Sequence, residues 1–268
     1  MARHKVLRSP RLARKEKKRK VHKVIFWCSF SVVLFSLVLY GFSRPAFTIT
    51  HIEVSGASRI PSASITELVE EGMKGSYFGF ISKAHTLLYP KAELSAELQK
   101  AFPALSSVSL SLNNLASLHV AVHEREPQAL WCTGAFGCFL LDETGFVFAV
   151  APEGSDGLYY HLEFPATSSP LVRAVITKSA LADIISFLTK LEKIGFDPEK
   201  LIIRDGHELE VILRKGGSLL LQDTNYDHSL ASLEALLREG DVLPGTKDAL
   251  RVSYIDLRYG NKIYFKPR

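Results

Sequence analysis

A long apolar run lies near the N-terminus of the chain. Residues 24–42 read VIFWCSFSVVLFSLVLYGF, nineteen residues without a charged side chain. At about 1.5 Å per residue, a helix of this length spans about 28 Å, close to the hydrocarbon thickness of a bilayer. Buried helices of soluble proteins are rarely apolar on every face over this length. The pattern therefore predicts a single transmembrane helix at residues 24–42.

The pattern over residues 47–126 predicts a small α+β domain. FTITHIEVSG alternates apolar and polar positions, which is typical of a half-buried strand. PSASITELVEEG and residues 91–101 have helical spacing, and Ser64 and Glu67 are spaced as a capping box. We expect a loop with some helix at residues 77–90, and two strands at VSLSLN and LASLHVAVHE. This order indicates two helices on one face of a three-stranded sheet.

The pattern over residues 127–268 predicts a larger β-rich domain with helices. QALWC, CFLLD and FVFAVA read as short strands, and DETG as a hairpin turn. Residues 151–172 are rich in Pro, Ser and Gly and predict a loop or lid. Amphipathic helices are predicted at residues 178–194 and 228–239, with three strands between them. The last twenty residues predict two strands around Gly260 and Asn261.

Charge gives the predicted span a direction. Residues 1–23 contain eleven Lys or Arg and one acid, so this tail carries +10 while the rest of the chain carries −5. Lys and Arg beside a span stay in the cytoplasm, so we expect a cytoplasmic tail and extracytoplasmic C-terminal domains. Such a tail could also bind nucleic acid, but contact with anionic lipid headgroups explains it with fewer assumptions. We expect no nucleic-acid partner.

A cleaved signal peptide is the alternative interpretation of this N-terminus. Signal peptides have a shorter apolar core and a cleavage site of small residues. Here the apolar run is long and ends at Ser43, Arg44 and Pro45, without an A-x-A pattern. The sequence favours an uncleaved membrane anchor.

The cysteines offer one further structural hypothesis. Cys28 lies in the predicted span, whereas Cys132 and Cys138 flank a short Gly-containing loop in WCTGAFGCF. In an oxidising compartment this pair could form a hairpin disulfide. Two free thiols are the alternative, and no C-x-x-C metal pattern is present in the sequence.

The sequence contains no recognisable catalytic motif. H-E-x-x-H, G-x-S-x-G, the P-loop and G-x-G-x-x-G are all absent, and the nine histidines are scattered. We therefore expect no catalytic residue, cofactor, metal or small-molecule substrate, and a protein that is not an enzyme.

Four short motifs follow the apolar run in a fixed order. They are I-x-V-x-G at residues 52–56, H-E-R-E-P-Q-A at 123–129, L-L-D-E-T-G-F-V-F at 140–148 and I-D-L-R-Y at 255–259. With the basic tail and single span, this series resembles the FtsQ/DivIB family of bacterial cell-division proteins. The resemblance covers nearly the whole chain, and the order of the motifs carries it more than any one of them.

The resemblance implies a POTRA domain at residues 47–126 and a partner-binding domain at residues 127–268. It also implies a divisome scaffold in the inner membrane at the division septum, which binds FtsB- and FtsL-like partners and helps control septal wall synthesis. In the family, the last strand and the D-x-R-Y region bind the FtsB partner. Carried over to this chain, these docking residues are Arg258, Tyr259, Asn261, Ile263, Tyr264 and Phe265.

The terminal strand supports docking on physical grounds as well. No further strand follows it, so it can remain at a sheet edge whose free N–H and C=O groups accept an incoming strand. The alternatives are an interior strand whose lysines merely limit aggregation, and an ion pair of Arg258 with Asp256 or Glu210. For the whole protein, the alternative function is a membrane-anchored adaptor, or a POTRA protein of another envelope-assembly system.

Overall fold

In a computed structural model, the described part of the chain has a mixed α/β fold with five helices and a large sheet. The structure describes residues 10–42, 47–77, 79, 81–166, 168–204, 207–224, 226–238, 245–246, 249–250, 252–260 and 262–268. The chain forms two compact units. Unit 1 contains Met1–Leu98 and Ser107–His123, and unit 2 contains Gln99–Ser106 and Glu124–Arg268.

The first helix, α1 (Pro10–Phe42), continues without a break from the basic residues of the tail through the apolar run. By length and composition, Lys18–Leu37 within it could cross a membrane, although a signal sequence satisfies the same criteria. This stretch begins closer to the N-terminus than the predicted span at residues 24–42. Phe26, Trp27 and Phe35 each expose more than 60% of their surface. Residues 1–9 of the predicted tail lie outside the described part of the chain.

Unit 1 is built mainly on a three-stranded sheet. The elements that lie wholly or mostly in it are β1 (His51–Ser55), α2 (Ser62–Gly72), β2 (Ser76–Tyr77), β3 (Ile81–Ser82), α3 (Lys91–Ala101), β4 (Leu105–Leu112) and β5 (Ser117–Glu124). The sheet order is β1-β5-β4, with β1 parallel to β5, and β2 pairs with β3 in a separate small hairpin. Ile65 and Val69 of α2, and Leu94 and Leu98 of α3, are fully buried because their spacing brings them to one helix face.

One local prediction in unit 1 is wrong and another is wrong in part. The helix α2 begins directly after Pro61, so Ser64 lies inside its first turn, and no side chain among the described residues caps the helix. Proline has a φ suited to a helix start, which lets the helix begin before the expected cap residue. Within residues 77–90, the predicted loop packs on the core and buries His85 and Thr86, but the described residues form the β2–β3 hairpin and turns in place of the predicted helix.

Unit 2 contains the large sheet. Its strands are β6 (Pro127–Thr133), β7 (Gly137–Asp142), β8 (Phe146–Val150), β9 (Tyr160–Glu163), β10 (Arg173–Ala174), β11 (Pro198–Ile203), β12 (Glu208–Leu213), β13 (Ser218–Gln222), β14 (Gly245–Thr246), β15 (Ala249–Leu250), β16 (Val252–Tyr259) and β17 (Lys262–Pro267). Ten of them form one sheet in the order β10-β8-β7-β6-β9-β11-β12-β13-β16-β17, and β14 pairs with β15.

Two helices cover one face of this sheet. They are α4 (Lys178–Lys193) and α5 (Tyr226–Arg238), close to the predicted ranges. Their apolar faces share one cluster of buried residues with the strands, including Phe187 and Leu233 from the helices and Val211 and Leu219 from the sheet. A smaller, separate cluster contains Leu130, Cys132, Leu140 and Phe148, with Ala104 packed against it.

The predicted loop or lid at residues 151–172 is partly wrong, because it contains a central strand. β9 lies between β6 and β11 and is parallel to both. Its Leu162 is fully buried and lies opposite Trp131 on one side and Leu201 on the other. Four residues with a single deeply buried apolar side chain give too little pattern for a strand prediction.

Candidate functional site

The hairpin of β16 and β17 ends the large sheet. Within the described residues, β17 is last in the strand order and pairs only with β16, in an antiparallel register that places Ile255 opposite Phe265 and Asp256 opposite Tyr264. Ile263 and Phe265 are half-buried against the main core. Two of the six predicted docking residues therefore hold the strand to the sheet, and the other side chains of β17 are available to solvent.

Two tyrosines form an exposed aromatic patch on this hairpin. Tyr259 and Tyr264 expose 57% and 51% of their surface. Their ring centroids lie 5.4 Å apart with the rings nearly perpendicular, an arrangement that aromatic pairs favour. We refer to Tyr259 and Tyr264 as the tyrosine pair. An exposed aromatic pair on an edge hairpin is an apolar contact area beside unpaired backbone groups.

Arg258 is held in an ion-pair network. Its Nη2 lies 2.7 Å from Oδ2 of Asp256, its Nε 2.9 Å from Oδ1 of Asp256, and its Nη1 2.7 Å from Oε1 of Glu208. Of the two ion pairs considered from the sequence, the one with Asp256 is found, whereas Glu210 pairs with Arg204. Glu208, on β12, is a partner that sequence reasoning missed.

The charges of this network stabilise one another. Burial works to raise the pKa of Asp256, but the hydrogen bonds and positive charge of Arg258 outweigh it and hold that pKa below its usual value. The hydrogen bond to Asp256 raises the pKa of Arg258. The guanidinium carbon also lies 5.7 Å from the centre of the Tyr259 ring. Arg258 therefore orients one member of the tyrosine pair while its own charge is largely satisfied.

The turn between β16 and β17 is anchored from α5. The imidazole Nε2 of His228 lies 2.8 Å from the carbonyl oxygen of Gly260, which accepts its hydrogen bond. Gly260 has a φ of 63°, in the left-handed region that favours glycine. Asn261, another predicted docking residue, lies outside the described residues.

The H-E-R-E-P-Q-A and L-L-D-E-T-G-F-V-F motifs meet in unit 2 as a structural clamp. The guanidinium of Arg125 donates to the Asp142 carboxylate and to the carbonyl oxygen of Pro103, and it stacks 4.3 Å from the centre of the Phe146 ring. The other Asp142 oxygen accepts hydrogen bonds from Thr144 and from the Phe146 amide. The conformation of the 142–146 turn thus depends on Asp142.

The surroundings of the 142–146 turn also shift the Asp142 pKa and require glycine at position 145. Burial works to raise the pKa of Asp142, but the hydrogen bonds from Thr144, Phe146 and Arg125 outweigh it and lower that pKa. Gly145 has a φ of +79°, and a Cβ there would lie 1.9 Å from the carbonyl oxygen of Ile176. Both motifs therefore serve the fold of unit 2.

A cluster of metal-ligand side chains lies at the β6–β7 hairpin. Cys132 and Cys138 lie opposite each other, and their sulfurs form a disulfide. A ring nitrogen of His161, on β9, lies within 4.8 Å of both sulfurs. We call these three residues the cysteine–histidine cluster. His161 was not predicted from the sequence because β9 was not predicted. The pairing of β9 with β6 brings His161 close to the two cysteines.

The chain was also compared with known proteins. No protein-family model matches this sequence, and a search of curated proteins found no match either.

Proposed function

We propose that this protein is a single-span division scaffold of the FtsQ/DivIB type. It binds FtsB- and FtsL-like membrane proteins through β17 and thereby helps control septal wall synthesis. The observation that carries this proposal is the outer edge of β17, unpaired within the described residues, with the exposed tyrosine pair beside it. Tyrosines are enriched among the residues that contribute most to protein–protein binding.

The edge strand suits a partner that adds a strand of its own. A terminal strand presents free N–H and C=O groups, so backbone hydrogen bonds give affinity while neighbouring side chains give specificity. Lys262 and Lys266 are exposed on the same strand as Tyr264. A partner segment with apolar residues for the tyrosine pair and acidic residues for the lysines would match this surface.

The rest of the chain is compatible with such a scaffold. The basic tail and α1 support an anchor whose C-terminal units face away from the cytoplasm. The sheet order β1-β5-β4, with α2 and α3 between β1 and β4 in the chain, supports a POTRA domain in unit 1. The ten-stranded sheet then serves as the partner-binding domain.

The docking surface can be tested by capture of a co-expressed FtsB-like partner on the full chain in detergent. Tyr264→Lys places a charge where an apolar contact is required, and loss of one dominant tyrosine costs about 2 kcal/mol, or about thirtyfold in affinity. Leu158→Lys is the matched control, because Leu158 is 73% exposed but lies on a loop before β9. Equal capture by both variants would place the interface elsewhere.

The cellular role is tested by localisation. A fluorescent fusion of the full chain is expected at midcell, and depletion is expected to give filaments. Uniform envelope fluorescence with normal division would contradict the division role and favour a membrane-anchored adaptor of another system.

A further inference from the structure

The cysteine–histidine cluster combines three potential ligands of two types, thiol and imidazole, that zinc-like divalent cations prefer. Cys132 and Cys138 come from adjacent strands, and His161 comes from a third strand on the other side of β6. All three ligand atoms lie within 4.8 Å of one another. Two thiolates and one imidazole are a ligand set typical of zinc, with thiolates at about 2.3 Å and imidazoles at about 2.0 Å.

The His161 imidazole lacks a hydrogen-bond partner among the residues that the structure describes, although the side chain is half-buried. Its ring nitrogens are therefore available to bind a metal ion.

The surroundings of the sulfurs also suit a metal site. Cys132 is buried and belongs to the apolar cluster with Leu130, Leu140 and Phe148, while Cys138 and Tyr159 pack against that cluster. An apolar shell limits the access of water and strengthens metal–ligand attraction. The strand β6 pairs with β7 on one side and with β9 on the other, so the three ligands stand on a rigid base.

We propose that reduction of the Cys132–Cys138 disulfide creates a site in which Cys132, Cys138 and His161 bind one zinc-like divalent cation. A dithiol reductant donates two electrons and two protons to the disulfide and becomes a disulfide itself. Metal binding then releases both thiol protons to solvent as two metal–sulfur bonds and one metal–nitrogen bond form. Water occupies the fourth position of the tetrahedron.

The two states exclude each other. In a tetrahedral zinc site the two sulfurs are about 3.8 Å apart, so rotation of the cysteine side chains has to separate them. The Cα atoms of Cys132 and Cys138 are 4.0 Å apart, on directly opposed positions of the hairpin. A bound metal therefore holds both thiolates and prevents them from forming the disulfide again.

Cobalt binding to the full chain in detergent tests this inference, which does not depend on the division role. Cys28→Ser removes the remaining thiol, and the chain is studied oxidised and after reduction under anaerobic conditions. The reduced chain is expected to bind one Co²⁺ per molecule, with thiolate charge-transfer and tetrahedral ligand-field absorption bands, and Zn²⁺ is expected to displace it. The oxidised chain is expected to show neither band.

The contribution of His161 separates this site from a simple dithiol. His161→Ala is expected to weaken Co²⁺ binding at least tenfold, since loss of even an outer partner of a metal ligand costs about 10–100-fold. His51→Ala, an exposed histidine on β1, is the matched control and should leave binding unchanged. Trp131 fluorescence reports folding, and His161→Gln replaces the alanine variant if that one unfolds.

Three results would overturn the proposal. They are no Co²⁺ bound by the reduced chain, equal binding by the oxidised chain, and equal affinity in the folded His161 variant. Zinc should also slow alkylation of Cys132 and Cys138 in the reduced chain. Alkylation at an unchanged rate in saturating zinc would equally contradict a shared metal site.

Discussion

At the scale of single residues, the Arg125–Asp142 clamp explains why two separate motifs of the sequence belong together. The Asp142 side chain is 4% exposed and that of Arg125 is 17% exposed. Removing one charge of a buried pair leaves the other uncompensated, which costs about 3 kcal/mol. Asp142→Asn should lower the free energy of unfolding of unit 2 by about this amount.

Trp131 allows this measurement in the full chain. It is buried in the core of unit 2, and Trp27→Phe removes the other tryptophan. Urea unfolding in detergent, followed by Trp131 fluorescence, then reports unit 2. Glu143→Gln is the matched control, because Glu143 is an exposed partner of Lys178 beside Asp142. A variant Asp142→Asn as stable as this control would show that the clamp adds no stability.

The clamp also predicts how unit 2 responds to acid. The folded-state pKa of Asp142 lies below its ordinary value of 3.8, so the unfolded chain binds this proton more readily. The stabilisation is complete above the ordinary value and is lost as the pH falls through the folded value. The stability difference between the parent and Asp142→Asn should therefore shrink in that acidic window. A constant difference down to the lowest pH would contradict this.

Single residues also mark the limit of sequence reasoning about the site. Arg258, Tyr259 and Tyr264 could be named because they lie in a short terminal segment. Glu208 and His161 could not be named from the sequence, because strand pairing alone brings each close to its partners. Glu208 lies on β12 and reaches Arg258 across the sheet, and His161 lies on β9, which pairs with β6. A contact across strands is set by register, and register is invisible before the topology is known.

At the scale of elements, periodicity was sufficient wherever a segment was long. Helices α3, α4 and α5, and the strands from β11 to β13, lie close to the predicted positions because their apolar residues recur with a clear period. The sequence pattern did not predict β9, β10 or the strands of the small hairpins, each of which has only two to four residues. In such short strands pairing with neighbours determines the structure, and local preference contributes little.

The strand β9 gives a prediction at this scale. Leu162 is fully buried between β6 and β11, so Leu162→Ala leaves a cavity in the centre of the sheet. A change of this type lowers the free energy of unfolding by about 3 kcal/mol. In the full chain, Trp131 fluorescence should therefore report unfolding at a lower urea concentration. Leu158→Ala, 73% exposed four residues earlier, should change stability by less than about 0.5 kcal/mol. Equal effects would mean that β9 is a surface loop.

At the scale of the whole molecule, charge and apolar residues are separated along the chain. The first 23 residues carry +10, the apolar part of α1 follows, and all remaining residues together carry −5. Such an asymmetry gives an inserted helix one preferred direction, with its basic flank in the cytoplasm. In an inserted chain it would also bring cationic side chains, including the exposed Lys18, Arg19 and Lys20, to anionic lipid headgroups.

The orientation can be tested with a C-terminal reporter enzyme that is active only outside the cytoplasm. The parent chain should show high reporter activity and retain an N-terminal tag, since α1 remains as an anchor. Replacing Lys15, Lys17, Lys18, Arg19 and Lys20 by Gln removes half of the tail's net charge and should lower the exported fraction. Replacing five exposed lysines of the C-terminal domains, Lys74, Lys178, Lys215, Lys262 and Lys266, is the matched control.

The control substitutions lie far from the span, and distant charges contribute little to orientation, so export should be unchanged. A tag lost from the mature chain would identify the apolar run as a cleaved signal peptide and leave the C-terminal domains unanchored. Full export of the Gln variant with its tag retained would mean that the tail does not set direction. In that case its basic residues would be explained by contact with lipid headgroups alone. The Gln variant should then bind vesicles of anionic lipid more weakly than the parent chain.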